Sequence, residues 1–109
     1  ATLGLGLAGV VPFYGWPVGA SGDIPAPAGV AGRIECPVLA LYGGADDGIP
    51  VEAREAYDRA LDAAGVEHET VVYPGAPHSF FDRKADQFAD ASADAWDRVL
   101  AFIGRRAAA

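Results

Sequence analysis

Three segments of this chain have the hydrophobic pattern of buried strands. Residues 7–14 and 38–42 are continuous apolar runs, and residues 69–73 are rich in β-branched side chains. Each segment is stopped by glycine or proline, and runs of this kind suit strands that are buried within a parallel sheet, the first of them on both faces. We therefore expect strands at residues 7–14, 38–42 and 69–73.

Two further segments repeat apolar residues at three- and four-residue spacing, which is typical of amphipathic helices. The first covers residues 51–64, between Pro50 and Gly65, and the second covers residues 85–103, with Gly104 at the expected C-cap position. Residues 18–32 are crowded with glycine, proline and alanine and predict a long loop. The order strand, loop, strand, helix, strand, helix predicts a right-handed, parallel α/β arrangement.

Composition narrows the class of protein. The 109 residues are 51% hydrophobic and 21% charged, which is usual for one soluble domain, here spanning residues 1–109. The net charge of −7 argues against a nucleic-acid partner. The apolar N-terminus runs only to Pro12, too short for a membrane span of about 20 residues, so we expect no membrane partner.

The cysteine and methionine counts bear on compartment and completeness. Cys36 is the only cysteine, which fits a reducing compartment, so we expect a cytoplasmic protein in which Cys36 is a small packed hydrophobe. The chain contains no methionine, so either processing has removed the start or these residues are the interior of a longer protein. We favour the second interpretation.

Two loops that follow predicted strands carry side chains of catalytic type. Asp46 follows the second strand and His78 follows the third. The carboxyl ends of parallel strands meet at one edge of a sheet, so we expect these side chains to lie close together. A carboxylate that accepts the imidazole Nδ1–H fixes the tautomer of a histidine base. Asp47 is the other candidate for this role, and of the two acids we expect Asp47 to be the one that caps the following helix.

A nucleophile cannot be assigned within these residues. The serines and Cys36 all lie outside a Gly-x-Ser-x-Gly or Gly-x-Cys-x-Gly turn. No cluster has zinc-ligand spacing, and the Gly4-x-Gly6-x-x-Gly9 match precedes a strand instead of a helix, so we expect neither a metal nor another cofactor. His68, in the polar lead-in to the third strand, is predicted to lie at the surface.

The blocks VPFYG at residues 11–15, PVLALYGGADDGIP at residues 37–50 and YPGAPHSFF at residues 73–81 resemble the dienelactone hydrolase family. The resemblance implies the C-terminal part of an α/β-hydrolase fold, a mainly parallel sheet with flanking helices. It places the family's nucleophile elbow, with Cys or Ser, before Ala1. Carried over by position, Asp46 matches the family acid and His78 the family base.

The resemblance also implies residues on the substrate side. Phe80 and Phe81 match an aromatic pair that many members place beside the substrate pocket. Tyr14 and Trp16 resemble pocket-lining aromatic residues, and a structural role for these two is equally open.

One departure from the family concerns the substrate. The dienelactone-specific members carry an arginine shortly after the histidine to hold the substrate carboxylate, whereas here Asp82 comes first and Arg83 one place later. These residues therefore leave specificity for dienelactone itself open.

The combined expectation is an enzyme that hydrolyses a small ester or lactone through a nucleophile–His–Asp triad. Its nucleophile would come from a missing N-terminal segment or a partner chain, and the isolated 109 residues would be inactive. The alternative is a non-catalytic remnant that self-associates, as a homo-oligomer, through its exposed sheet edge and apolar face.

Overall fold

A computed structural model describes residues 7–15, 17 and 27–107 of the chain. A short 3-10 helix at Pro27–Arg33 comes first. It is followed by strand β1 at Val38–Gly43, helix α1 at Val51–Ala63, strand β2 at His68–Tyr73 and helix α2 at Ala89–Ala107. None of these helices is long and apolar enough to cross a membrane.

The two strands lie side by side in parallel, as the sequence predicts. Their register runs from Val38 opposite His68 to Gly43 opposite Tyr73. The predictions of strands at residues 38–42 and 69–73 are confirmed to within one residue at each end. All six residues of β1 are buried, because β1 has a neighbour on each edge and a helix against each face.

The segment predicted as the first strand pairs with β1 only at two isolated parallel bridges, Val10 with Val38 and Phe13 with Leu41. Pro12 lies between them and has no N–H to donate to β1, so the ladder breaks there. Residues 9–14 are half-buried, since this segment has β1 on one edge and is the outermost member of the described sheet. The expectation of a regular strand buried on both faces is therefore wrong.

Helix α1 begins and ends almost where the sequence predicts. Pro50 occupies the N-cap without a side-chain hydrogen bond, so the expected capping by Asp47 is wrong. At the other end Gly65 adopts φ +71, and the N–H of Val66 donates to the Leu61 carbonyl at 3.0 Å. A left-handed glycine with such a bond is a common helix terminator.

Two boundaries differ from the prediction. Residues 79–88 form successive turns, and α2 begins at Ala89 instead of residue 85. Gly104 lies inside α2, which continues to Ala107, so the C-cap assigned to Gly104 is wrong. Residues 27–32 belong to the 3-10 helix, where proline at the first position suits a helical start. The rest of the predicted loop, residues 18–26, lies outside the described residues.

The core has two halves, one on each face of the sheet. Alternate residues of β1 point to opposite faces, as a strand requires. Val38, Ala40 and Tyr42 pack against α1 and the 3-10 helix, while Leu39 and Leu41 pack against α2. A sheet between two helical layers leaves the carboxyl ends of β1 and β2 open at one edge, where the loops that follow them meet.

Candidate active site

The loops that follow β1 and β2 are joined through their backbones. The N–H of Gly44 donates to the Tyr73 carbonyl at 2.8 Å, and the N–H of Ala45 donates to the Ala76 carbonyl at 2.9 Å. A Cβ at Gly43 would lie 2.3 Å from the Ala76 carbonyl oxygen. Glycine has no Cβ, so it is the residue that allows the two loops to approach this closely. The two loops are therefore held in fixed register.

Asp46 is held in place by both of its carboxylate oxygens. The residue is only 7% exposed. Its Oδ1 accepts a hydrogen bond from the backbone N–H of Gly48 at 3.0 Å, and its Oδ2 lies 2.6 Å from Nδ1 of His78. A buried carboxylate with both oxygens engaged has a defined orientation.

The hydrogen bond between Asp46 and His78 defines the state of the imidazole. A carboxylate can only accept a hydrogen bond, so Nδ1 carries a proton and its N–H donates a hydrogen bond to Asp46. In the neutral ring Nε2 is then an acceptor. The His78 side chain is 53% exposed, so the ring is accessible from outside the described chain. This arrangement suits a general base whose tautomer is fixed by an acid.

The structure separates the two adjacent acids. Asp46 reaches His78, whereas Asp47 is exposed and makes no side-chain cap to α1. The predicted proximity of Asp46 and His78 is thus present, across 32 residues of sequence.

The predicted aromatic residues have different positions. The Tyr14 ring lies 4.7 Å from the His78 ring, centroid to centroid. Phe80 is 0% exposed and belongs to the core on the α2 face, so it presents no surface to a ligand in the described structure. Phe81 is half-buried and packs against Phe13 with ring centroids 4.7 Å apart. Trp16 lies outside the described residues.

The hydroxyl of Tyr14 adds a second connection to the loop that carries His78. It donates to Oδ2 of Asp82 at 2.8 Å. Burial, reinforced by this bond, raises the pKa of Tyr14 to about 12. Hydrogen bonds from the Arg83 N–H and then from the Tyr14 hydroxyl lower the pKa of Asp82. The donor therefore stays protonated and the acceptor stays ionised around neutral pH.

No hydroxyl or thiol in the described part of the chain is hydrogen-bonded to His78. Ser92 donates to the Phe80 carbonyl at 3.0 Å, and Ser79 is engaged with Asp82. Cys36 is buried, and burial followed by the charge of Glu35 raises its thiol pKa, which is the environment of an unreactive cysteine.

One partly buried and one buried polar side chain were not predicted from the sequence. The His68 side chain is 13% exposed, with Nε2 3.7 Å from carboxylate oxygens of both Asp58 and Asp62, so its predicted surface position is wrong. Arg54, 9% exposed, directs Nη1 to the Gly43 carbonyl at 3.4 Å. Its three- and seven-residue spacing from Tyr57 and Leu61 indicates that Arg54 lies on the buried face of α1.

Other features of the surface lie away from this pair. A groove of about 610 Å³ between Tyr73, Pro74 and the start of α2 includes neither Asp46 nor His78. Within the described residues, no group of His, Cys, Asp and Glu side chains could hold a metal ion.

The structure has a parallel sheet between helices and, beyond the strand ends, a buried acid hydrogen-bonded to a histidine. These features are those of the α/β-hydrolase class, and comparison with known proteins supports this assignment. The sequence profile of the dienelactone hydrolase family matches residues 1–107, and the chain belongs to that family. The fold expected from the resemblance is confirmed by solved relatives.

Individual relatives support this membership. The chain is 41% identical over 75 residues to a protein of Escherichia coli O157:H7 provisionally named carboxymethylenebutenolidase, covering 68% of this chain and 28% of that protein. A protein of the same provisional name from Methylorubrum extorquens is 41% identical over 92 residues, covering 82% and 32%. The chain thus spans about a third of these curated relatives or less.

Solved structures give the same result. A crystal structure of a dienelactone hydrolase, provisionally so named, from Klebsiella pneumoniae superimposes with a TM-score of 0.77 at 38% identity, over 88% of this chain and 41% of that one. The dienelactone hydrolase-like promiscuous phosphotriesterase P91 from metagenomic libraries gives a TM-score of 0.69 at 26% identity, over 88% and 41%.

Proposed function

We propose that these residues are the acid-and-base portion of an enzyme that hydrolyses a small ester or lactone, and that its nucleophile lies outside residues 1–109. The observation that carries this proposal is the 2.6 Å hydrogen bond from His78 Nδ1 to the buried Asp46, with the rest of the imidazole accessible. In this proposal residues 1–109 are one part of a single catalytic domain.

The proposed reaction uses His78 twice. Nε2 takes the proton of a serine hydroxyl or cysteine thiol as that group attacks the substrate carbonyl, and Asp46 stabilises the imidazolium that forms. The imidazolium then returns the proton to the departing alkoxide, which in a lactone stays attached as the hydroxyl of the opened ring. A water molecule, deprotonated in the same way by Nε2, releases the acid and restores the nucleophile.

The proposed substrate class rests on the residues that follow the histidine in the sequence. The relatives' name, carboxymethylenebutenolidase, denotes an enzyme acting on a butenolide that carries a carboxymethylene group. Here Asp82, whose pKa is lowered by its hydrogen bonds, lies four residues beyond His78 and is ionised at neutral pH. An anionic side chain does not hold a substrate carboxylate, so we propose uncharged esters or lactones as substrates.

The test is the kinetics of the complete protein that carries these residues, with 4-nitrophenyl butyrate as the substrate. His78→Ala removes the base, and we expect kcat to fall by roughly 10³-fold or more. His68→Gln is the matched control, because His68 is the other histidine of the chain and packs against α1 instead. Retention of the wild-type kcat by His78→Ala would overturn the proposal.

A further inference from the structure

Tyr14 contacts three residues of the five-residue stretch that carries the histidine. Its ring lies 4.7 Å from the His78 ring and 5.8 Å from the Phe80 ring, and its hydroxyl donates to Asp82 at 2.8 Å. These partners alternate along residues 78–82, so one side chain spans the whole stretch. The hydrogen bond to Asp82 joins positions 68 residues apart in sequence.

The backbone of Tyr14 is strained. Its φ is +38, a left-handed conformation that aromatic residues seldom adopt. Such a conformation persists only where the surrounding contacts hold it, and it is a feature found at functional sites. At Tyr14 the contacts that hold it are the parallel backbone bond from its N–H to the Leu41 carbonyl, at 2.7 Å, and the side-chain contacts with residues 78–82.

The imidazole of His78 therefore has two neighbours that restrict it. Asp46 fixes its Nδ1 edge by the hydrogen bond, and the Tyr14 ring packs against the imidazole ring at an interplanar angle of 50°. An imidazolium within about 6 Å of an aromatic centroid is also attracted by the ring's quadrupole. Tyr14 would thus restrict the base in its resting state and favour its protonated state during turnover.

We propose that Tyr14 is a positioning residue for His78, acting through its ring on the imidazole and through its hydroxyl on Asp82, which ties down the loop that carries the base. This inference rests on the proposed function. It differs from a role of Tyr14 as a wall of the substrate pocket, because a wall would change substrate binding, whereas a positioning residue changes the chemical step.

The first experiment compares variants of the complete protein in ester hydrolysis. Tyr14→Phe keeps the ring and removes the hydroxyl, and Asp82→Ala removes the acceptor, so we expect each to lower kcat by about tenfold with KM nearly unchanged. The double variant should lose no more than Asp82→Ala alone, because the bond that Tyr14→Phe removes is already broken when Asp82 is replaced. Asp82→Asn should retain most of the activity, since its amide oxygen still accepts the hydrogen bond.

Two controls separate positioning from general effects. Tyr73→Phe removes a bond of the same kind, from the Tyr73 hydroxyl to Asp94 at 2.6 Å, and should leave kcat unchanged. Asp86→Ala removes an exposed acid from the same turn segment and tests the loss of charge alone. A rise in KM without a fall in kcat, or additive losses in the double variant, would overturn the proposal.

NMR spectroscopy tests the positioning of His78 by Tyr14 independently of the proposed hydrolase activity. Proton NMR should show a low-field resonance for the His78 Nδ1–H bonded to Asp46, and we expect this resonance to broaden in Tyr14→Leu but not in Tyr73→Phe. An unchanged resonance in Tyr14→Leu would refute positioning. If His78→Ala retained activity while the resonance still responded to Tyr14, the proposed function would fail and the positioning would stand.

Discussion

At the scale of single residues, the site depends on the chemical difference between two adjacent aspartates. Asp46 is 7% exposed and uses one oxygen for the backbone of its own loop and the other for His78. Asp47 is exposed and takes no part in the helix cap. Gly43 lets the two loops approach closely, and of the two carboxylates it is that of Asp46 that faces the imidazole.

This difference predicts opposite outcomes for two matched variants. In Asp46→Asn the side-chain amide can donate to Nδ1, which would move the ring proton to Nε2 and remove the base. We expect kcat of the complete protein to fall by roughly 10³- to 10⁴-fold. Asp47→Asn should keep the wild-type kcat. Steady-state ester hydrolysis measures both, and equal effects of the two variants would contradict the assignment of Asp46.

At the scale of the elements, α2 contains a residue that weakens it. Gly104 lies within the helix, and a Cβ built there meets no heavy atom within 4 Å. Glycine inside a helix costs about 0.5–1 kcal/mol relative to alanine, because the unfolded chain loses more conformational freedom on folding. Gly104→Ala should therefore raise the free energy of unfolding by about this amount, measured by urea denaturation of the complete protein.

Gly65 provides the matched comparison of opposite sign. It ends α1 at φ +71, where a Cβ also meets no atom but the backbone conformation disfavours any other residue. Gly65→Ala should lower the free energy of unfolding by about 1 kcal/mol. If Gly104→Ala were destabilising as well, Gly104 would not lie within a regular helix.

The same elements show why sequence predicts some features and misses others. Strands β1 and β2 and helix α1 were predictable because their patterns are local and their ends carry proline or glycine. The break at Pro12 depends on which β1 carbonyl lies opposite it. Helix α2 continues past Gly104 although a glycine near a helix end often terminates it. Asp46 and His78 were predictable because parallel strand ends share an edge.

The contact of Tyr14 with Asp82 could not be predicted in the same way. It joins two loops whose relative position is set only when the whole sheet is assembled. The partial burial of His68 against α1 likewise depends on how the helix packs over β2. Periodicity identifies the buried face of an element, but it does not identify which polar group a neighbouring element brings to that face.

At the scale of the whole molecule, an apolar helix face and an open sheet edge are surfaces that another polypeptide segment could cover. The exposed face of α2 presents Trp96, Leu100 and Ile103, each about half exposed. At one edge of the sheet, the segment at residues 10–14 pairs with β1 on one side only within the described structure. Apolar patches and open sheet edges are usually covered in a stable protein. The accessible side of His78 fits the same interpretation, and a nucleophile carried by the covering polypeptide would complete the triad.

Covalent labelling tests where that nucleophile lies. A 4-nitrophenyl alkylphosphonate should phosphonylate the nucleophile once per complete protein, with release of 4-nitrophenolate. Peptide mapping by mass spectrometry should find the phosphonyl group outside residues 1–109. The same reagent should fail to label His78→Ala, because the nucleophile then lacks its base. An adduct on Ser79 or Cys36 would contradict the proposal, since neither is hydrogen-bonded to His78 in the described structure and the Cys36 thiol is buried with a raised pKa. An adduct on a serine or cysteine beyond these residues would identify the group that Nε2 of His78 activates.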